Sequence, residues 1–292
     1  MIEKNYHTHL YRCKHGTGDV DDYCRAALGH GLTVLGISDH AALPDNRWID
    51  IRMDFSELEE YCESIDSARK TFPDLTVLKS MECEFAEEYV SYYREELLGA
   101  RRFDYLIGGI HLFPFRGEWT WVYGSARKGT LLKAYADFFI QAMQSGLFAF
   151  MAHPDLFGSS YLRWDTEAEA CSRDIFSAAE ALRMPLEING YGFLKPWVDS
   201  PDGRRPMYPW KRFWEVASEY EVTVVVNSDA HFPEKILGGI PEGLTLAHEC
   251  GLPLVDLSAR LPRTTTTSPP DPLSTLWRGG ERSPLSVIRR GG

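Results

Sequence analysis

Residues 33–40 read Thr-Val-Leu-Gly-Ile-Ser-Asp-His, a β-rich apolar run that closes on an acid and an imidazole. The same grammar recurs along the chain. Further β-rich runs lie at 3–9, 75–81, 105–110, 148–152, 185–189 and 222–227. The segments between them carry helical spacing. Phe55, Leu58, Tyr61, Cys62 and Ile65 repeat at three and four behind an Asp54/Glu57 pair spaced as a capping box. Leu131, Leu132, Tyr135, Phe138, Phe139, Ala142 and Met143 do the same behind Thr130, read as an N-cap. Val20, Tyr23, Cys24, Ala27 and Leu28 form a shorter stripe that ends at Gly31. Seven strands alternating with helices predict an α/β protein with a mainly parallel sheet. A closed barrel and an open doubly wound sheet both satisfy that pattern.

The residues that follow the strands carry the chemistry. The first run ends in His7-Thr8-His9, the second in Asp39-His40 and the third in Glu82. His111 follows the fourth, His153 the fifth, and Asp229 with His231 the seventh. Parallel strands present their C-terminal ends on one side, so these side chains converge on one face. Residues two apart on extended backbone point the same way, which lets His7 and His9 grip one ion and sets Asp229 beside His231. Imidazoles with two carboxylates suit Zn, Mn or Fe and are poorly matched to Ca or Mg. The ligands are too many for one ion and suit two or three.

Composition narrows the partners. The 292 residues are 44% apolar and 25% charged, with a formal net charge of −11. An acidic chain argues against a nucleic-acid coat or an anionic-membrane binder, which need a basic face. No apolar run approaches the roughly 18–20 residues of a membrane span, and MIEKNYHTHL has no apolar signal core, so a cytoplasmic location is expected. Cys13, Cys24, Cys62, Cys83, Cys171 and Cys250 form no CxxC pair and read as small buried hydrophobes. From Pro262 onward the chain changes character: TTTTSPPDP, five prolines, and five arginines against Asp271 and Glu281. Such a stretch buries too little apolar surface to order itself, so the folded unit is expected over 1–261 and a disordered tail over 262–292.

YHTHLYRCKH, ISDHA, SMECEF, DYLIGGIHLF, AHPDLF, LEINGYG and NSDAH, in this order, resemble the PHP (polymerase and histidinol phosphatase) metallo-phosphoesterases, and among them the histidinol-phosphatase branch. The resemblance implies a distorted seven-stranded (β/α) TIM-like barrel with a trinuclear metal centre at its C-terminal mouth. It implies His7, His9, Glu82 and Asp229 on the first metal. Glu82 would bridge to a second metal held also by His111 and His153, and His15, His40 and His231 would hold the third. His15 enters through the resemblance alone. His30 and His248 match nothing and read as structural.

The chemistry follows from that set. A water between two metals is deprotonated near neutral pH and can attack phosphorus, while the metals neutralise the phosphoryl oxygens. Glu82 and Asp229 are the catalytic carboxylates of this reading. Glu84 is expected behind the ligands or at the rim of the site, and Asp39 or Asp155 is expected to orient an imidazole, with Asp155 also a candidate proton donor. Lys195, Arg204 and Arg205 are the candidate phosphate contacts. Trp119, Trp121 and Tyr123 either wall a pocket or form a loop cluster. The expected activity is hydrolysis of L-histidinol phosphate in histidine synthesis, a small phosphate ester rather than a nucleic acid or a membrane. The alternatives are a PHP phosphoesterase for a nucleotide, a sugar phosphate or phosphotyrosine, and a non-catalytic metal-binding module.

Overall fold

A computed structural model of the chain describes residues 2–124, 128–257 and 261. The tail expected from residue 262, and the boundary in front of it, lie outside the described residues. In chain order the strands are β1 (Lys4–Asn5), β2 (Val34–Ile37), β3 (Thr76–Lys79), β4 (Glu82–Cys83), β5 (Ile107–Gly108), β6 (Leu112–Phe115), β7 (Glu118–Trp121), β8 (Phe150–Met151), β9 (Leu186–Asn189), β10 (Val198–Ser200), β11 (Gly203–Arg205) and β12 (Val224–Asn227). β6 with β7 and β10 with β11 are antiparallel hairpins. The other strands run parallel.

Each of the seven expected β-runs contains a strand, but the sheet is not one closed seven-stranded barrel. Among the described residues eight parallel strands fall into two sheets, ordered β1-β2-β3 and β12-β9-β8-β5-β4. The third expected run holds β3 alone; past Ser80 and Met81 a further strand, β4, follows it, so that β3 pairs with β2 while β4 pairs with β5. Single β-bridges join the sheets where the strands end, Thr8 to Ala230 and His40 to Glu82. Period-two alternation divides the strand side chains between two cores. Val224 and Val226 pack with the large cluster that includes the helices, and Val225 points the other way. It joins Tyr6, Val34, Leu78, Tyr105, Ile107 and Phe150, a cluster drawn from both sheets.

The helices are α1 (Val20–Gly29), α2 (Leu58–Thr71), α3 (Gly129–Gln144), α4 (Thr166–Leu182), α5 (Tyr191–Leu194), α6 (Lys211–Ala217) and α7 (Ile240–Glu249). The Asp54/Glu57 box is present on a 3₁₀ turn that runs straight into α2. α3 departs from expectation: Lys128 occupies the cap position without a side-chain bond, and Thr130 lies inside the first turn. Gly129, the first residue of the helix, lies close against α4: a Cβ there would stand 2.6 Å from the Glu167 side chain. All six cysteines are free and buried.

Candidate metal centre

The strand ends and bridges place the polar side chains. His9 N donates to the Ala230 carbonyl (2.8 Å), which brings the segment after β1 beside the segment after β12. On the other seam Glu82 N donates to Ser38 O (3.0 Å) and Ala41 N to Glu82 O (2.9 Å). His153 (φ 32°) and Asp229 (φ 50°) both hold left-handed backbone, which non-glycine residues adopt at a cost and which clusters at functional sites.

Nine side chains meet there. His7 Nε2 and His9 Nε2 lie 3.1 Å apart. Asp229 Oδ1 is 2.9 Å from His9 Nε2 and 3.7 Å from His7 Nε2, and Glu82 Oε2 is 3.5 and 3.6 Å from the same two nitrogens. Ligand atoms on a tetrahedral zinc with bonds of about 2.0–2.1 Å stand about 3.3 Å apart. The other oxygen of Glu82, Oε1, faces a different pair, His153 Nε2 at 2.8 Å and His111 Nε2 at 3.8 Å. His40 Nδ1 lies 3.0 Å from Glu82 Oε2. His15, the exposed member, has its ring centroid 4.8 Å from that of His231 and 5.3 Å from that of His40. Among the described residues Asp229 Oδ1 is buried without a hydrogen-bond donor, although imidazoles surround it. Facing imidazole nitrogens and an orphaned carboxylate oxygen at these spacings fit a divalent cation of the zinc type.

Hydrogen bonds behind the cluster fix which nitrogen points inward. His7 Nδ1 is 2.8 Å from Glu187 Oε1, and His111 Nδ1 is 2.7 Å from Glu84 Oε1. His15 Nδ1 and His231 Nδ1 donate to the carbonyls of Cys13 (2.7 Å) and Asp229 (2.9 Å). Each bond leaves Nε2 free for the cluster. Glu84 thus lies against the outer nitrogen of His111. Glu187 and Asn227 escaped the sequence reading: Asn227 Nδ2 donates to Glu187 Oε1 (2.9 Å), and Asn189 Nδ2 to both Glu187 (2.8 Å) and Asp229 Oδ2 (3.0 Å). The signal was a glutamate inside LEIN, an apolar strand with both faces buried. Buried Arg52 was also missed; its Nη2 lies 3.5 Å from Glu84. Asp39 Oδ1 is 3.5 Å from His9 Nδ1. Asp155 points away from the cluster, its Oδ2 accepting from Trp210 N and Trp214 Nε1. Burial lifts its pKa to about 6.

Charge is distributed unevenly. Burial opposes ionisation of Glu82 and Asp229, but the imidazoles around them win and hold both well below the carboxylate range. Burial likewise opposes protonation of His9, yet Asp229 raises it to about 9, and Glu187 with Asp229 raises His7. Burial, and then the neighbouring His9, pushes His15, His40 and His231 down.

A cavity of about 240 Å³ opens above the cluster, walled by Trp121, Tyr123, Tyr191 and Tyr208 with Asp50 and Lys195 at its sides. Trp119 instead packs edge-on against Trp48 and Phe138. Of the three expected phosphate contacts the structure brings only Lys195 to this cavity, with its Nζ 3.9 Å from the Tyr191 ring centroid. The β10–β11 hairpin carries Arg204 and Arg205 to a separate cleft. Arg205 is consumed there by the carbonyls of Gly158, Tyr161, Pro206 and Met207. His30 caps α1 and His248 lies in α7, both away from the cluster.

The PHP domain family matches residues 5–190. The chain belongs to that family. A Deinococcus radiodurans protein named as a probable histidinol-phosphatase is 30% identical over 243 residues, 79% of this chain and 86% of that protein. Two solved structures share the fold at a TM-score of 0.67. One is a candidate histidinol phosphatase from Listeria monocytogenes, 20% identical, covering 82% of this chain and 99% of that one. The other is a Lactococcus lactis histidinol phosphate phosphatase determined with zinc, L-histidinol and phosphate, 16% identical, covering 87% of this chain and 95% of that one. Asp229 and His231 lie beyond the residues matched to the PHP domain, yet they complete the same cluster. No helix of the described residues is long and apolar enough to cross a membrane.

Proposed function

We propose that this PHP protein is a metal-dependent phosphomonoesterase that hydrolyses L-histidinol phosphate to L-histidinol and phosphate. The observation that carries the reading is Glu82, whose two oxygens face two separate imidazole pairs. In this reading His7, His9, Glu82 and Asp229 hold one ion, Glu82, His111 and His153 a second, and His15, His40 and His231 a third. Zinc is the first candidate, with manganese or iron behind it. The bound ions would supply a deprotonated water and neutralise the phosphoryl oxygens. The chain's own residues do the rest. Glu187 and Glu84 aim His7 and His111, Lys195 meets the phosphate, and the aromatic walls exclude bulk water. Residues 1–261 would suffice for this work, in the cytoplasm, with the two sheets read as one barrel interrupted at Ser80–Met81. The name of the Deinococcus radiodurans relative points to the same substrate.

Protons compete with the metal. With no ion bound, the carboxylates around His9 favour its protonated form and raise its pKa to about 9, and that of His7 is raised as well. Zinc needs the neutral imidazoles, so binding at pH 7 is expected to release at least one proton per chain, and apparent affinity is expected to climb as pH rises toward 9. Calorimetry in buffers of different ionisation enthalpy measures this; a binding heat that is the same in every buffer refutes it.

The activity is tested with zinc-loaded and chelator-treated protein against L-histidinol phosphate, p-nitrophenyl phosphate, nucleotides, sugar phosphates and phosphotyrosine. The expected kcat/KM for L-histidinol phosphate exceeds the others by about tenfold or more and vanishes with the metal. A higher value for another ester moves the assignment to that ester. Bound zinc without turnover of any would make the protein a metal-binding module.

A further inference from the structure

Two phenols face the cavity as a pair. The Tyr123 and Tyr208 hydroxyl oxygens lie 2.8 Å apart, their rings meeting edge to face at 6.3 Å. Both residues line the cavity above Glu82, His153 and Asp229. Two hydroxyls carry two protons, and their mutual hydrogen bond uses one of them. Neither hydroxyl has another hydrogen-bond partner among the described residues. One O–H is therefore left to donate to whatever enters.

The pair is held stiffly. Tyr208 is 2% exposed. Arg205 Nη1 donates to the carbonyls of Pro206 and Met207 (2.9 Å each), and its Nη2 to those of Gly158 (2.8 Å) and Tyr161 (3.2 Å). The guanidinium thus clamps the two residues in front of Tyr208, while its carbon sits 3.9 Å from the Trp210 ring centroid behind it. On the other side Gly192 leaves room that nothing larger could: a Cβ there would stand 2.0 Å from the Tyr208 carbonyl oxygen and 2.5 Å from its ring. A hydroxyl fixed in this way loses little freedom when it engages a ligand.

We propose that the Tyr123–Tyr208 hydroxyl pair donates the proton taken by the departing alcohol oxygen. The inference rests on the phosphatase reading and assigns a residue to a step that reading leaves open. As the phosphorus–oxygen ester bond breaks, the alkoxide oxygen takes the phenolic proton and leaves as the alcohol. The attacking water contributes its oxygen to phosphorus and gives its surplus proton to solvent, and solvent restores the proton to the phenolate. One water is consumed, and the pair is unchanged. Arg205 is a positioning residue here, acting through the Tyr208 backbone.

The test compares leaving groups in the zinc-loaded enzyme. An alkoxide needs a proton to leave; nitrophenolate departs without one at neutral pH. Tyr208→Phe keeps the ring and removes the hydroxyl. It is expected to lower kcat for L-histidinol phosphate on the order of 100-fold while changing that for p-nitrophenyl phosphate by roughly threefold or less. Tyr123→Phe, which leaves the clamped segment untouched, is expected to shift the ratio in the same direction. Zinc content and melting temperature establish that each variant is folded and loaded. Equal losses on both substrates, or no loss on either, overturn the proposal. A wild type inactive on every ester overturns the phosphatase reading and the donor with it. If the wild type prefers another alkyl ester, only the substrate assignment fails, and the same comparison is made on that ester.

Discussion

Glu82→Gln is expected to reduce turnover by about a thousandfold or more, equivalent to roughly 4 kcal/mol of transition-state stabilisation, and to lower the zinc held per chain. The substitution preserves shape and volume, so the effect isolates the second oxygen. In the native chain Oε2 stands 3.5–3.6 Å from the His7 and His9 nitrogens, and Oε1 stands 2.8 Å from His153 and 3.8 Å from His111. An amide offers one oxygen and one NH₂, and the NH₂ is a donor with no lone pair to give. Whichever way it turns, one set faces a group that cannot ligate. The buried imidazoles would also lose the carboxylate that, in the proposed centre, balances the ion between them. Elemental analysis of the purified variant alongside its kinetics checks this. Full zinc content with near-native turnover would take Glu82 out of both sets.

Gly109→Ala is expected to damage the same carboxylate from behind. Gly109 does not have a positive φ, so alanine suits its backbone and the pairing of β5 survives. The added Cβ, however, would lie 2.2 Å from Glu82 Oε1, 2.7 Å from Cδ and 2.8 Å from Cγ. An exposed glutamate would swing aside at little cost. Glu82 is 2% exposed and hemmed in by His153 and His40, so any swing would break the spacing that the proposed cation needs. A folded protein with zinc affinity lowered by about 10- to 100-fold is expected, with turnover falling in parallel and partly recovered by excess zinc. Titration with a competing chelator measures it, and native affinity would show that the carboxylate tolerates displacement.

What the sequence made legible, and what it hid, divides along physical lines. Seven of the nine clustered side chains are histidines, and imidazoles at the ends of successive β-runs are visible without coordinates. His15 stands in a loop where spacing says nothing, and only the family pattern singles it out. Glu187 and Asn227 sit inside apolar strands, where the linear pattern does not reveal that two buried polar groups face each other across paired strands. The arginines failed for the opposite reason. Arg204 and Arg205 are conspicuous cations near LEINGYG, but a sequence shows a charge without its direction, and the hairpin turns both away. The third strand was legible as a run of β-formers over 75–81, whereas β4 at Glu82–Cys83 is too short and too polar to show as a strand and is fixed by its pairing with β5.

The nine side chains of the centre are spread over the chain from residue 7 to residue 231, and no short stretch holds even half of them. Loop closure over such separations must precede the first full shell, so the proposed centre has very high contact order. A nascent chain would still lack Asp229 and His231 when nearly nine-tenths of residues 1–261 had left the ribosome, as domains emerge N-terminal end first. An ion captured early would therefore be held by fewer and looser donors. The metal's free energy would then favour the completed fold over its partial forms, and occupancy would report that folding had finished.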